Sequence, residues 1–221
     1  MRETAAATWV ALLLAFQAVG VSAERPSQDE PPASLEALMR GMAGASGVVA
    51  RFREVKRLAL LSEPIEARGT LYFVPPGRLA RVTESPETRL VIDGDRFSFD
   101  DGSADRALDL SSNPVAREVV ANFIVLFNGD LTALRERYEP TFETGDEGWS
   151  LALVPRRSPL RDVIERVTLE GSGRALTRME LVETGGDSTT TYFEDVDTDR
   201  VFDAALRERI FGEGGAAPKE R

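Results

Sequence analysis

Hydrophobic and polar positions in this chain fall into one short helical stretch followed by a long alternation of period two. Ser34 is placed to cap a helix that carries Leu35, Leu38, Met39 and Met42 at helical spacing. From Val48 the period changes. Alternation then predicts strands over Val48–Leu60, Ile65–Val74, Arg78–Thr83, Thr88–Ile92, Arg96–Asp100 and Arg106–Leu110. The breaks between them are turn chemistry: Pro75-Pro76-Gly77, Ser85-Pro86-Glu87 and the tight-hairpin signal Asp93-Gly94. Asn113 with Pro114 behind it predicts a helix to about Phe127, which Asn128-Gly129 stops, and Asp130 starts a second helical piece to Tyr138. Strands are expected again over Thr141–Glu143, Trp149–Val154, Ile164–Leu169, Leu176–Glu183 and Thr189–Asp195, with a last helix over Ala204–Phe211. Even spacing of short strands indicates an antiparallel sheet or barrel. No internal repeat is visible, and one domain over residues 34–212 is the expected organisation, with a flexible tail at 213–221.

The first residues read as a processed leader. Arg2 precedes an apolar run from Ala5 to Val19, and Val21-Ser22-Ala23 has the small-x-small form of a secretory cleavage site. The expected cut follows Ala23, which makes residues 1–23 a signal peptide. The run is shorter than the ~20 residues that span a bilayer, which disfavours an uncleaved anchor. Residues 24–33, rich in proline and charge, read as a disordered linker.

Composition narrows the chemistry. The 221 residues contain no Cys and no His, so disulfides, thiolate chemistry, histidine acid–base catalysis and Cys/His zinc sites are excluded. With 27 Lys plus Arg against 37 Asp plus Glu, the formal charge of −10 argues against nucleic acid as a partner. Gly186-Asp187-Ser188 matches the opening of a nucleophile block in one class of lipid-active serine hydrolases. The histidine that would deprotonate such a serine is missing, and a turn between strands accounts for the three residues. Asp195, Asp197 and Asp199 alternate like the first ligands of a calcium loop, but Arg200 stands where the loop needs glycine and Leu206 where it needs glutamate. Asp93, Asp95, Asp100 and Asp101 flank a hairpin as solvated turn residues, and Gly171-Ser172-Gly173 opens no helix. No catalytic constellation survives, and no cofactor or metal is implied.

The distribution of apolar surface is more informative. From Val115 to Phe127, ten of thirteen residues are apolar. A helix apolar nearly all round is enclosed on more than one side, either within a core or with one flank lining a cavity. Leu71 and Phe73 share one strand face, as do Phe97 and Phe99. A strongly curved sheet with few helices can enclose an apolar ligand cavity.

Several ordered motifs carry a family resemblance. They are the N-terminal helix with Leu35 and Leu38, then Phe52-Arg53-Glu54, Gly69-Thr70-Leu71 leading to Pro76, Leu90-Val91-Ile92-Asp93-Gly94-Asp95, Asn128-Gly129-Asp130-Leu131 and Trp149-Ser150-Leu151-Ala152-Leu153-Val154-Pro155. In this order, over Ser34 to Phe193, the chain resembles the outer-membrane lipoprotein carrier (LolA) family, in its divergent LolA-related branch. The resemblance implies an incomplete antiparallel β-barrel, mainly β with α: a half-barrel with a helical lid over a hydrophobic cavity. It implies a periplasmic, non-catalytic carrier that shuttles acylated cargo, a lipoprotein or another lipid, between inner and outer membrane. It further implies a monomer in transient contact with an inner-membrane transporter and an outer-membrane acceptor. A periplasmic lipid- or lipoprotein-sensing module that regulates a membrane partner is the alternative on the same fold. The cavity is then expected at Leu38, Met42, Phe52, Leu71, Phe73, Leu79, Phe97, Phe99, Phe123, Ile124, Phe127 and Leu153. One departure stands out. The characterised carriers have an arginine before the proline that ends the second strand, with a part in lid closure and transfer; here that position is Pro75, so this role is not carried over.

Overall fold

The structure is a computed structural model that describes residues 31–103, 105–112 and 114–212. The proposed leader, the linker up to residue 30, the Asn113 cap and the tail from residue 213 lie outside the described residues, as does the side chain of Phe123. Helix α1 (Leu35–Ala43) starts at Ser34, whose hydroxyl accepts from the Ala37 N–H at 3.2 Å. Six strands follow as a meander: β1 (Val48–Arg57), β2 (Ile65–Val74), β3 (Arg78–Glu84), β4 (Glu87–Asp93), β5 (Arg96–Asp100) and β6 (Asp105–Asp109). A 3-10 turn leads into α2 (Pro114–Asn128) and α3 (Leu131–Arg137), and β7 (Tyr138–Gly145) and β8 (Gly148–Pro155) come next. The chain ends with α4 (Leu160–Val163), β9 (Ile164–Ser172), β10 (Ala175–Glu183), β11 (Ser188–Asp197) and α5 (Ala204–Phe211).

All eleven strands form one antiparallel sheet in the order β6-β5-β4-β3-β2-β1-β11-β10-β9-β8-β7. The chain leaves the middle of the sheet at β1, walks out to the β6 edge, crosses to the β7 edge through α2 and α3, and walks back to β11 beside β1. An open sheet this wide curls under its own twist rather than lying flat. The result is the expected half-barrel, with two unpaired edges and helices in its concavity.

Alternation sorts the side chains onto the two faces. On the concave side, Ala50, Phe52, Leu71, Phe73, Leu79, Ile92 and Phe193 form one cluster against α2. A second cluster joins α1, α2 and α3 to β8 and β9 through Leu38, Met39, Leu126, Leu134, Leu151, Leu153 and Leu169. On the convex side, Tyr72, Val74, Ala80 and Val91 are covered by Phe202 and by Ile210 and Phe211 of α5. Gly69 shows how tightly the sheet coils. A Cβ there would lie 1.9 Å from the Val82 carbonyl oxygen and 2.9 Å from the Phe52 ring, so only glycine fits between β1 and β3.

Some elements differ from the expected ones. The first strand stops at Arg57, because Leu58–Leu61 fold into a turn closed by Leu61 N–H to the Leu58 carbonyl at 2.9 Å. Leu60 is 97% exposed there, and its apolar character imitated a continuing strand. β7 is longer than expected and takes in Tyr138, where the sequence pattern predicts the end of the preceding helix. Pro140 is tolerated inside it because β7 is an edge strand. β11 runs two residues further, to Asp197, across a bulge. The single turn of α4 has no sequence periodicity to announce it.

Candidate functional site

The site is built at the end of the half-barrel where β1 begins. Helix α1 brings Gly41 and Met42, followed by Ala45, and α2 brings Leu126 and Phe127. The sheet supplies Val48 and Ala50 from β1, Leu71 from β2, Leu169 from β9, Leu176 from β10, and Phe193 and Val196 from β11. Together with Arg174 and Thr198 they line a narrow cavity of about 50 Å³ that opens to solvent at its mouth. The only polar side chains among these lining residues are those of Arg174 and Thr198.

Two bulges set which strand residues face the cavity. Phe193 and Val196 are three apart, so plain alternation would send them to opposite faces. Between them Asp195 adopts φ +52°, and the β1–β11 register slips from Glu194 opposite Arg51 to Asp197 opposite Val49. One residue is absorbed, and Phe193 and Val196 end on the same face. Leu176 and Met179 are likewise three apart. The β9–β10 register slips between Leu176 and Arg178, leaving both apolar residues on the concave side.

The helices are fastened over this face at named points. The Asn128 side-chain amide donates to the Pro76 carbonyl at 2.6 Å, which pins the end of α2 to the β2–β3 turn. Pro75 belongs to that same turn. Gly129, at φ +66°, passes so close to α1 that a Cβ would lie 2.1 Å from the Met39 carbonyl oxygen. Arg135 of α3 pairs with Glu36 of α1 at 2.6 Å.

At the mouth, Arg174 sits in the two-residue turn between β9 and β10. Gly173, at φ +54°, precedes it, and the buried Trp149 indole N–H donates to the Gly173 carbonyl at 3.0 Å. A Cβ on Gly41 would be 3.5 Å from Cγ of Arg174, so the arginine stem lies along α1. Its Nη2 reaches Asp199 Oδ1 at 3.3 Å, while its Nε–H is buried without an acceptor. A buried donor left unmade costs about 1–3 kcal/mol. Arg81 pairs with Glu54 at 2.8 Å and lies over the Phe52 ring, 4.5 Å from its centroid.

Of the twelve residues expected at the cavity, Met42, Leu71 and Phe127 line it. Phe73 is fully buried behind Phe127, with ring centroids 5.3 Å apart. Phe52 and Leu79 are buried, and Phe97 and Ile124 are part-buried, in the concave cluster around Phe73. Leu38 and Leu153 are core residues between the helices and β8 rather than cavity wall. Phe99 is half-buried on β5, remote in strand order from the cavity. The small residues Gly41, Ala45 and Ala50, the aromatic Phe193 and the bulge-dependent Val196 and Leu176 were missed.

The acidic motifs resolve into local contacts. Asp195 faces Arg51 at 3.9 Å, Asp197 accepts from the Asp199 N–H at 3.0 Å, and Asp187 accepts from the Ala59 N–H at 2.7 Å. Among the described residues no cluster of three or more acidic side chains could hold a metal ion, and no helix is long and apolar enough to cross a membrane.

Comparison with known proteins adds a family. Three solved structures are similar at low identity. A LolA superfamily protein from Nitrosomonas europaea is 10% identical, with 78% of this chain and 96% of that one covered and a TM-score of 0.41. The MucA/MucB complex of Pseudomonas aeruginosa gives 14% identity, 77% and 59% coverage and a TM-score of 0.46. A DUF1329 family protein from Desulfovibrio piger gives 12% identity, 82% and 99% coverage and a TM-score of 0.46. No curated protein matches the sequence. The family model described as outer membrane lipoprotein carrier protein LolA-like matches residues 30–209. The chain therefore belongs to the LolA-like family.

Proposed function

We propose that this protein is a periplasmic, non-catalytic carrier that holds the acyl part of a lipid or lipoprotein in the cavity between its helices and the concave face of its sheet. The observation that carries this reading is the lining: twelve of the fourteen residues around the cavity have apolar side chains or none. Such a surface gains nothing from water, while an acyl chain laid against it contributes about 0.8 kcal/mol per buried CH₂. The reading includes export with cleavage after Ala23, a monomer, and movement of cargo from an inner-membrane transporter to an outer-membrane acceptor.

The test is extraction of the protein, purified without detergent from a periplasmic fraction, with organic solvent and mass spectrometry of the extract. Stoichiometric acyl lipid is expected, together with displacement of a fluorescent fatty-acid probe from the delipidated protein. An extract free of lipid and a probe that never binds would remove the carrier reading.

A further inference from the structure

We propose that Arg174 is an anion-binding residue at the cavity mouth, so that the cargo is an amphiphile with a carboxylate or phosphate directly at the head of its acyl chain. This rests on the reading of the cavity as an acyl site and goes beyond it by naming the head group's chemistry.

Arg174 is the only charged side chain lining the cavity among the described residues. Its guanidinium is incompletely used. The contact to Asp199 is a single one at 3.3 Å, whereas Arg78–Asp93, Arg81–Glu54 and Arg178–Glu170 close to 2.7–2.8 Å. The Nε–H, on the edge of the planar fork, has no acceptor at all. Two oxygens of one carboxylate or phosphate match Nε and a terminal nitrogen of that fork together. A neutral ester or alcohol offers no such pair and no charge.

The placement is fixed before any ligand arrives. Arg174 sits in a turn held by the Trp149 indole, and its stem lies against Gly41 on the helix that forms the opposite lip. A chain packed against Leu71, Phe127 and Phe193 would therefore present its head to a preset cation. The protein carries −10, and Asp195, Asp197 and Asp199 lie near the same strand end, so Arg174 is a lone cation in an acidic setting at the cavity mouth. The other interior cation, Arg81, is already closed on Glu54.

The experiment uses the delipidated full-length mature protein and displacement of a neutral fluorescent lipid by four competitors below their aggregation concentrations. These are oleate, methyl oleate, 1-oleoyl-lysophosphatidate and 1-oleoylglycerol. At least one anion is expected to bind about ten- to a hundredfold more tightly than its neutral counterpart, the range of charge-assisted hydrogen bonds. Preference for oleate assigns a carboxylate, and preference for lysophosphatidate a phosphate. In Arg174→Gln the preference should fall to near unity while methyl oleate affinity stays within about twofold of wild type, and Arg174→Lys should keep part of it. Asp199→Asn, which removes the competing carboxylate and leaves the guanidinium in place, should tighten anion binding. Equal binding of acid and ester by the wild type, a preference that survives Arg174→Gln, or weaker anion binding in Asp199→Asn would each overturn the proposal with the carrier reading intact. Failure of all four competitors would remove both.

Discussion

Thr83 lies in β3, 3% exposed, and its hydroxyl has no hydrogen-bond partner. Its partner on β2 is Gly69, which offers no side chain, and Thr88, its partner on β4, makes no hydrogen bond to it. A buried hydroxyl without an acceptor or donor has lost its water and received nothing in return. Thr83→Val keeps the shape and removes the orphan, and it should raise the unfolding free energy by about 1 kcal/mol in urea titration. A loss of stability would mean that the hydroxyl is used. Glu36 shows the opposite case, a charge that is fully solvated and still perturbed. Its own backbone N–H in the first turn of α1, then the Arg135 guanidinium and the Ser34 hydroxyl, hold its carboxyl below the ordinary 4.5. The depressed folded value means that the contribution is fully present above that ordinary value and disappears as pH falls through the lower one. The melting temperature of Glu36→Gln should therefore trail the wild type by a small, constant margin at neutral pH, and the two should converge on acidification below about 4.5. The margin should also shrink in high salt, because the pair is exposed. A gap that persists at low pH would assign the effect to helix packing instead of charge.

The bulge at Asp195 decides what β11 shows to the cavity. A residue at φ +52° suits Asp or Gly and is strained for a β-branched side chain, by about 1–3 kcal/mol. Asp195→Gly should thus leave stability and probe binding nearly unchanged. Asp195→Val should destabilise by that amount and weaken acyl binding, since loss of the bulge would turn Val196 out of the wall. Urea unfolding and fatty-acid displacement measure both, and a Val variant that binds normally would show that the register is held elsewhere. This element also marks where the sequence stopped being legible. Alternation located most of the strands, and proline and glycine located their turns, because those signals are local. The half-barrel followed from strand count and family motifs such as Gly69-Thr70-Leu71. The cavity wall did not follow, because one absorbed residue inverts the parity of everything beyond it. Plain alternation cannot place both Phe193 and Val196, or both Leu176 and Met179, on one face. Aromatic positions such as Phe73 drew attention for their size, yet size is what fills the core, and the wall is made partly of Gly41, Ala45 and Ala50.

Across the whole molecule, two apolar side chains from the same concave side are expected to behave differently. Leu153 is fully enclosed between β8 and the helices. Phe127 touches both concave clusters but keeps an open side on the cavity. Leu153→Ala leaves a void that the surrounding sheet cannot collapse, at a cost of about 2–5 kcal/mol. Phe127→Ala enlarges a space that already opens to solvent, so the apo protein should lose clearly less than the ~3–5 kcal/mol of a fully buried phenylalanine. Part of that loss is the contact with Phe73, whose ring lies 5.3 Å away. The ligand-bound comparison reverses the order. An acyl ligand stabilises the native state by RT ln(1 + [L]/Kd), and only Phe127→Ala weakens Kd, so ligand should raise the melting temperature of Leu153→Ala as much as that of wild type and of Phe127→Ala much less. Thermal unfolding with and without a saturating fatty acid reads all three proteins on one scale. If Phe127→Ala falls as far as Leu153→Ala without ligand and responds to ligand like wild type, then Phe127 is core, and the space beside it is a packing defect instead of a binding site.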